Sequence, residues 1–144
     1  MVGLSGINFY AKNLAAAYAT LDYDLFLEPT LGNVEKAVRT LKGLQFTVGT
    51  KTGILEERDL PRVVRDQGTI IATTAEGLLM ELLLRISGYP FSELAKDAAT
   101  FVVRGVPVKV GRLKKLVRSK KLAGRPKDRD FLRRYGAFLE ERPR

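Results

Sequence analysis

The chain has 144 residues, and neither cysteine nor histidine is among them. Disulfides, thiol catalysis, iron–sulfur clusters, cysteine zinc sites and the Ser-His-Asp and Cys-His mechanisms are therefore excluded, and oxygen ligands from carboxylates favour a hard cation such as Mg²⁺ or Mn²⁺. Apolar residues at 45% and charged residues at 28% describe a globular chain, while the net charge of +9 belongs to the last third: residues 1–103 hold 10 Lys/Arg against 12 Asp/Glu, and residues 104–144 hold 15 against 4.

This length suits one domain with a full core, so a single domain over 1–144 is expected, with a basic helical part from about 111. Met1-Val2-Gly3-Leu4-Ser5-Gly6 has no basic region followed by an apolar run. The apolar stretch from Gly77 to Leu84 is interrupted by Glu81 and is far short of a membrane span. A cytoplasmic location away from membranes is the expectation.

In chain order, residues 7–17 are compatible with a helix, and 20–28 (TLDYDLFLE) read as a strand ended by Pro29. Thr30 resembles an N-cap. Val34, Ala37, Val38 and Leu41 recur at helical spacing over 33–43. Pro61 suits the first turn of a short helix near Leu60 to Arg65. Residues 69–74 and 78–86 read as strands, and their near-continuous apolar runs predict burial on both faces. Ser87-Gly88-Tyr89-Pro90 is a turn, and Ser92 can cap a helix through about Ala98. Short strands over 100–104 and 106–110 flank Gly105, and helices over 112–122 and 126–141 flank Gly124-Arg125-Pro126. Mixed helices and strands predict an α/β or α+β class, a small sheet covered by helices.

Asp22 and Asp24 are two apart in a strand, so their side chains share a face, opposite Leu21, Tyr23 and Leu25. Two like charges side by side are unfavourable without a cation. A divalent metal between them would remove the repulsion, bind triphosphate oxygens and acidify an attacking hydroxyl. The plainer alternative is an exposed strand with an acidic outer face. Glu81 stands alone in the apolar run Leu78 to Leu84, where a carboxylate is costly to bury unpaired. On a neighbouring strand it would join the two aspartates as metal ligand or general base. Otherwise it reaches solvent at a strand edge or pairs with an arginine. Glu76 precedes the strand core and is the weaker substitute.

In the helix from 112, Leu113, Leu116 and Val117 make an apolar stripe, which Lys120 continues. Such a lysine either snorkels outward or meets an anion. Arg112, Lys114, Lys115, Arg118 and Lys121 are better placed for solvent. Arg125 and Lys127 flank Pro126 at the start of the last helix, where Asp128 and Asp130 suit the first turns. Lys120, Arg125 and Lys127 thus outline a cationic corner suited to a triphosphate, or else a capped, solvated helix junction.

These pieces together resemble the minimal nucleotidyltransferases related to abortive-infection toxins. Thr20-Leu21-Asp22-Tyr23-Asp24 matches that family's T-x-D-x-D strand, and Lys120-Lys121-Leu122-Ala123-Gly124-Arg125-Pro126-Lys127-Asp128 matches its K-x-x-A-G-R-P-K-D segment. Gly105-Val106-Pro107-Val108 is similar too. Ser5-Gly6 stands for the family's glycine turn in altered order, Tyr18 replaces a usual arginine, and Glu81 falls where an aspartate is usual. The resemblance implies a nucleotidyltransferase fold, and Mg²⁺-dependent transfer of a nucleoside monophosphate from a nucleoside triphosphate to an acceptor hydroxyl on RNA, protein or a small molecule. It implies Asp22, Asp24 and Glu81 as the metal-binding and catalytic carboxylates. It implies Ser5 and Gly6 as a phosphate-contacting turn, Lys120, Arg125 and Lys127 as triphosphate ligands, and Asp128 as the residue fixing the helix start. A toxin–antitoxin setting is consistent with it. The alternative is a non-catalytic module of the same fold that binds nucleic acid or a protein through its basic end.

Overall fold

The computed structural model describes residues 1–11 and 22–140, and in the last helix the side chains up to 134 and at 136. Most of the helix expected over 7–17 therefore lies outside the described residues, as do Tyr18, Thr20 and Leu21. The elements are α1 (Gly3–Asn8), β1 (Asp22–Phe26), α2 (Leu31–Gly43), β2 (Thr47–Thr50), β3 (Gly53–Ile54), a 3-10 turn (Glu57–Asp59), α3 (Leu60–Asp66), β4 (Ile70–Thr73), β5 (Leu79–Leu83), α4 (Phe91–Ala95), β6 (Ala99–Val103), β7 (Val106–Val110), α5 (Leu113–Ala123) and α6 (Pro126–Glu140). The class is mixed α/β: six α-helices and two small sheets among the described residues. The chain forms two compact units, one from Ala19–Arg85 and the other from Met1–Tyr18 with Ile86–Arg144.

The first unit is a five-stranded sheet in the order β1-β5-β4-β2-β3. β1 runs parallel to β5, and the remaining pairs are antiparallel. Register puts Leu25, Met80, Leu82, Ile70, Ala72 and Val48 on one face. That face packs against Val34, Val38 and Leu41 of α2 and Leu60 and Val63 of α3, and Ile70, Ala72 and Leu82 lose all contact with solvent. Removing such side chains from water is what holds this layer together, at about 1.5–3 kcal/mol for each large aliphatic group. The two-faced burial expected of the central strands is not found. Ile71, Thr73, Leu79, Glu81 and Leu83 on the opposite face are only half-buried; among the described residues, the buried side chains of α2 and α3 gather on the Leu82 face.

At helix starts, backbone geometry counts for more than side-chain caps. Thr30 takes the extended N-cap conformation of α2 without a side-chain cap bond; its carbonyl accepts the Val34 N–H at 3.0 Å. Pro90, not Ser92, occupies the N-cap of α4, which puts Ser92 inside that helix. The reason is that Pro90 has an extended backbone (φ −70°, ψ 160°) and a carbonyl that accepts the Leu94 N–H at 3.3 Å. Pro61 does lie in the first turn of α3.

In the second unit, β6 and β7 form a hairpin with Phe101 opposite Val108 and Val103 opposite Val106. Arg104 (φ 48°) and Gly105 (φ 80°) both take the left-handed conformation that a two-residue hairpin turn demands. Phe101 packs against Phe9 and, edge-on at 5.3 Å, against Tyr10, whose hydroxyl donates to the Gly111 carbonyl at 2.8 Å. α5 buries Leu113, Leu116 and Val117, then ends at Gly124 (φ 60°) in the left-handed cap that glycine adopts without steric cost. Lys115 is not a solvent residue: its Nζ donates to the Glu93 carbonyl at 2.6 Å and to Asp97 at 2.8 Å. That ammonium holds the Asp97 carboxyl below the usual carboxylate range.

Candidate functional site

Asp22 and Asp24 belong to β1, the edge strand of the five-stranded sheet, and Glu81 to β5 beside it. Asp24 is the register partner of Glu81, and Asp22 that of Leu79. Paired residues of adjacent strands point to the same face, and so do residues i and i+2 of one strand. All three carboxylates therefore project from the face opposite the α2 layer. Ile71 follows Glu81 in the same row, and Thr73 follows Leu79 in the row of Asp22. Solvent reaches Asp22 freely and Asp24 and Glu81 in part. Neither aspartate stands without an interaction partner.

Strands in a sheet lie about 4.8 Å apart, so the Asp24 and Glu81 carboxylates start from neighbouring positions. As a donor set, three carboxylates suit a hard cation in kind and in face. Among the described residues, however, no three acidic side chains stand close enough to enclose a metal ion. Asp22 is one strand step further along, and rotation about its side chain would have to bring it to the other two.

The basic residues of the terminal helices belong to the second unit. Asp128, in the first turn of α6, has 0% of its surface exposed. Arg125 Nε donates to its Oδ2 at 2.6 Å, Arg125 also reaches Oδ1 at 3.3 Å, and Lys120 Nζ reaches Oδ1 at 3.2 Å. Burial pushes the Asp128 carboxyl up, but the hydrogen bonds from Arg125 and Lys120 outweigh it, and its pKa lies below the usual range. Lys120 also lies over the Phe131 ring, 5.3 Å from its centre. The anion that Lys120 meets on the apolar stripe is thus an internal one. Lys127 is exposed, and Arg125 keeps much of its side chain in solvent.

Ser5 and Gly6 lie in helix α1, not in an open turn. The buried Ser5 hydroxyl donates to the Val2 carbonyl at 3.1 Å. A Cβ at Gly6 would come within 3.1 Å of both Leu116 and the Met1 carbonyl. This glycine serves close packing of α1 on α5.

The Asp128 clamp is the arrangement that the residues read singly did not disclose. Its signal is the i, i+3 spacing of Arg125 and Asp128, which brings them to one side of a helix start.

No family model matches this chain, and no curated protein matches it. Among the described residues, no helix is long and apolar enough to cross a membrane.

Proposed function

We propose that the chain is a metal-dependent nucleotidyltransferase of the minimal nucleotidyltransferase fold, using Asp22, Asp24 and Glu81. The observation that carries this reading is the parallel pairing of β1 with β5, which makes Asp24 and Glu81 neighbours on one sheet face with Asp22 two residues away. The two partner residues are 57 positions apart in sequence, so their pairing is a property of the fold and not of a local motif.

In this reading Asp22 and Asp24 bind Mg²⁺ or Mn²⁺ through carboxylate oxygens, and Glu81 is the third ligand or the general base. When bound, such an ion neutralises phosphate oxygens and lowers the pKa of a hydroxyl beside it. Glu81 as base would accept the proton of the acceptor hydroxyl, whose oxygen attacks the α-phosphorus of a nucleoside triphosphate with loss of pyrophosphate. Within the second unit, Lys120 and Arg125 hold Asp128. The acceptor is RNA, a protein or a small molecule.

The Asp22→Asn, Asp24→Asn double variant tests this. It is expected to lose Mg²⁺-dependent binding of nucleoside triphosphates while its circular dichroism stays that of the parent chain. Unchanged nucleotide affinity contradicts the reading.

A second reading is a non-catalytic module that binds nucleic acid or protein. The engagement of Lys120 and Arg125 by Asp128 favours it, since neither is a fully available phosphate ligand, whereas Lys114, Arg118, Lys127 and Arg129 are exposed. Incubation with each α-labelled triphosphate, Mg²⁺ and total RNA or lysate separates the two. Label transferred to a macromolecule only by the parent chain, and not by the double variant, eliminates the binding-only reading.

A further inference from the structure

The β6–β7 hairpin has two edges of unlike character. Its turn, Arg104-Gly105, makes Val103 and Val106 the innermost hydrogen-bonded pair. Pairs alternate along an antiparallel ladder, so Val102 with Pro107 and Thr100 with Lys109 are the non-bonded pairs, whose N–H and C=O groups point outward. The Lys109 carbonyl confirms this phase, because it accepts a bond from outside the hairpin, from the backbone nitrogen of Met1.

The β7 edge is closed. Pro107 has no N–H to offer there, Lys109 is capped by Met1, and the Gly111 N–H donates to the Met1 carbonyl at 3.1 Å. The β6 edge is open. Among the described residues, nothing hydrogen-bonds the outward N–H and C=O groups of Thr100 and Val102. Both residues are exposed, Val102 at 70%. This edge carries neither a proline nor an inward-pointing charge nor a bulge, three of the devices that block strand addition; its flanking cations discourage cationic strands only. Its β-branched residues favour an extended partner.

Charge decides what kind of partner. Lys96 precedes the strand, Arg104 ends it, and Lys109 lies across from Thr100, its Nζ 2.7 Å from the Thr100 hydroxyl; all three cations are exposed. The nearby Asp97 is already taken by Lys115. A second copy would bring another +9 against this cationic margin.

We infer that the open edge of β6 binds an extended acidic segment of a partner protein by β-strand addition. Main-chain bonds to Thr100 and Val102 supply attachment, and Lys96, Arg104 and Lys109 select acidic side chains at alternate positions.

A ten-residue peptide alternating glutamate with valine, added to the ¹⁵N-labelled full chain at low salt, tests this by amide hydrogen exchange. In the free chain Thr100 and Val102 are expected to exchange at least tenfold faster than Phe101 and Val103, whose N–H groups face β7. The peptide is expected to slow Thr100 and Val102 at least tenfold and leave Phe101 and Val103 unchanged. A peptide with lysine in place of glutamate is expected to have no effect. Val102→Pro, which deletes an outward N–H and no hydrogen bond of the hairpin, is expected to weaken peptide binding at least tenfold. Four results would each overturn the inference: no protection by the acidic peptide, equal protection by the lysine peptide, protection of Thr100 and Val102 that grows with protein concentration alone, or their protection by RNA instead.

Discussion

Asp128 is a buried charge that accepts hydrogen bonds from two cations. Lys120 comes from α5, and Arg125 stands at the head of α6. Removing the carboxylate leaves the mostly buried Lys120 without its anion, so Asp128→Ala is expected to cost about 3 kcal/mol, read as a lowered urea midpoint. Its pKa is depressed in the folded state. The stability it provides is therefore complete above the ordinary carboxylate value of about 4 and is lost as pH falls through the lower, folded value. Acid titration of the parent chain followed by circular dichroism is expected to show this loss, and in Asp128→Asn that component should be absent. Lys120 was legible as a lysine on an apolar stripe that either snorkels outward or meets an anion. Which anion it meets was not, because the turn between the helices decides it. Gly124, by taking φ 60°, reverses the chain so that the residue four further on returns to face Lys120.

At the scale of elements, periodic patterns translated well where one face was apolar. The stripe of Val34, Val38 and Leu41 became the buried side of α2, and Gly105 between two β-branched runs became a hairpin turn. The β2–β3 hairpin left little trace in TVGTKTGI, since only a few residues alternate and two are glycines. It exists through pairing with β4, a contact that no local pattern encodes. Gly49 explains one of those glycines. A Cβ there would come within 2.7 Å of the Gly53 carbonyl across the hairpin. Gly49→Ala is expected to destabilise by about 1–3 kcal/mol, measured as a shift in urea midpoint. Gly53→Ala is strained for a different reason, its φ of 145°, although no atom stands near its Cβ position. If Gly49→Ala proves neutral, the hairpin is wider than described.

At the scale of the whole molecule, charge is segregated along the chain: a net +11 lies in residues 104–144 and a slight negative excess before them. Phosphate-rich ligands that depend on the basic segment are expected to lose affinity steeply as salt rises, by about one power of salt for each contact with duplex nucleic acid. Isothermal titration at two salt concentrations checks this. The acidic face was half legible. The period of two gave Asp22 and Asp24 one face, but nothing local could show that a strand beginning 57 residues later would lie beside β1, in parallel, with Glu81 at the level of Asp24. That arrangement is where the proposed activity rests, so cation binding tests it more directly than turnover does. Mn²⁺ titrated into the ¹⁵N-labelled chain is expected to broaden first the amide signals of β1 and β5 around Asp22, Asp24 and Glu81, with the effect lost in Asp24→Asn. Broadening centred elsewhere, or unchanged broadening in Asp24→Asn, would contradict a metal site on this face.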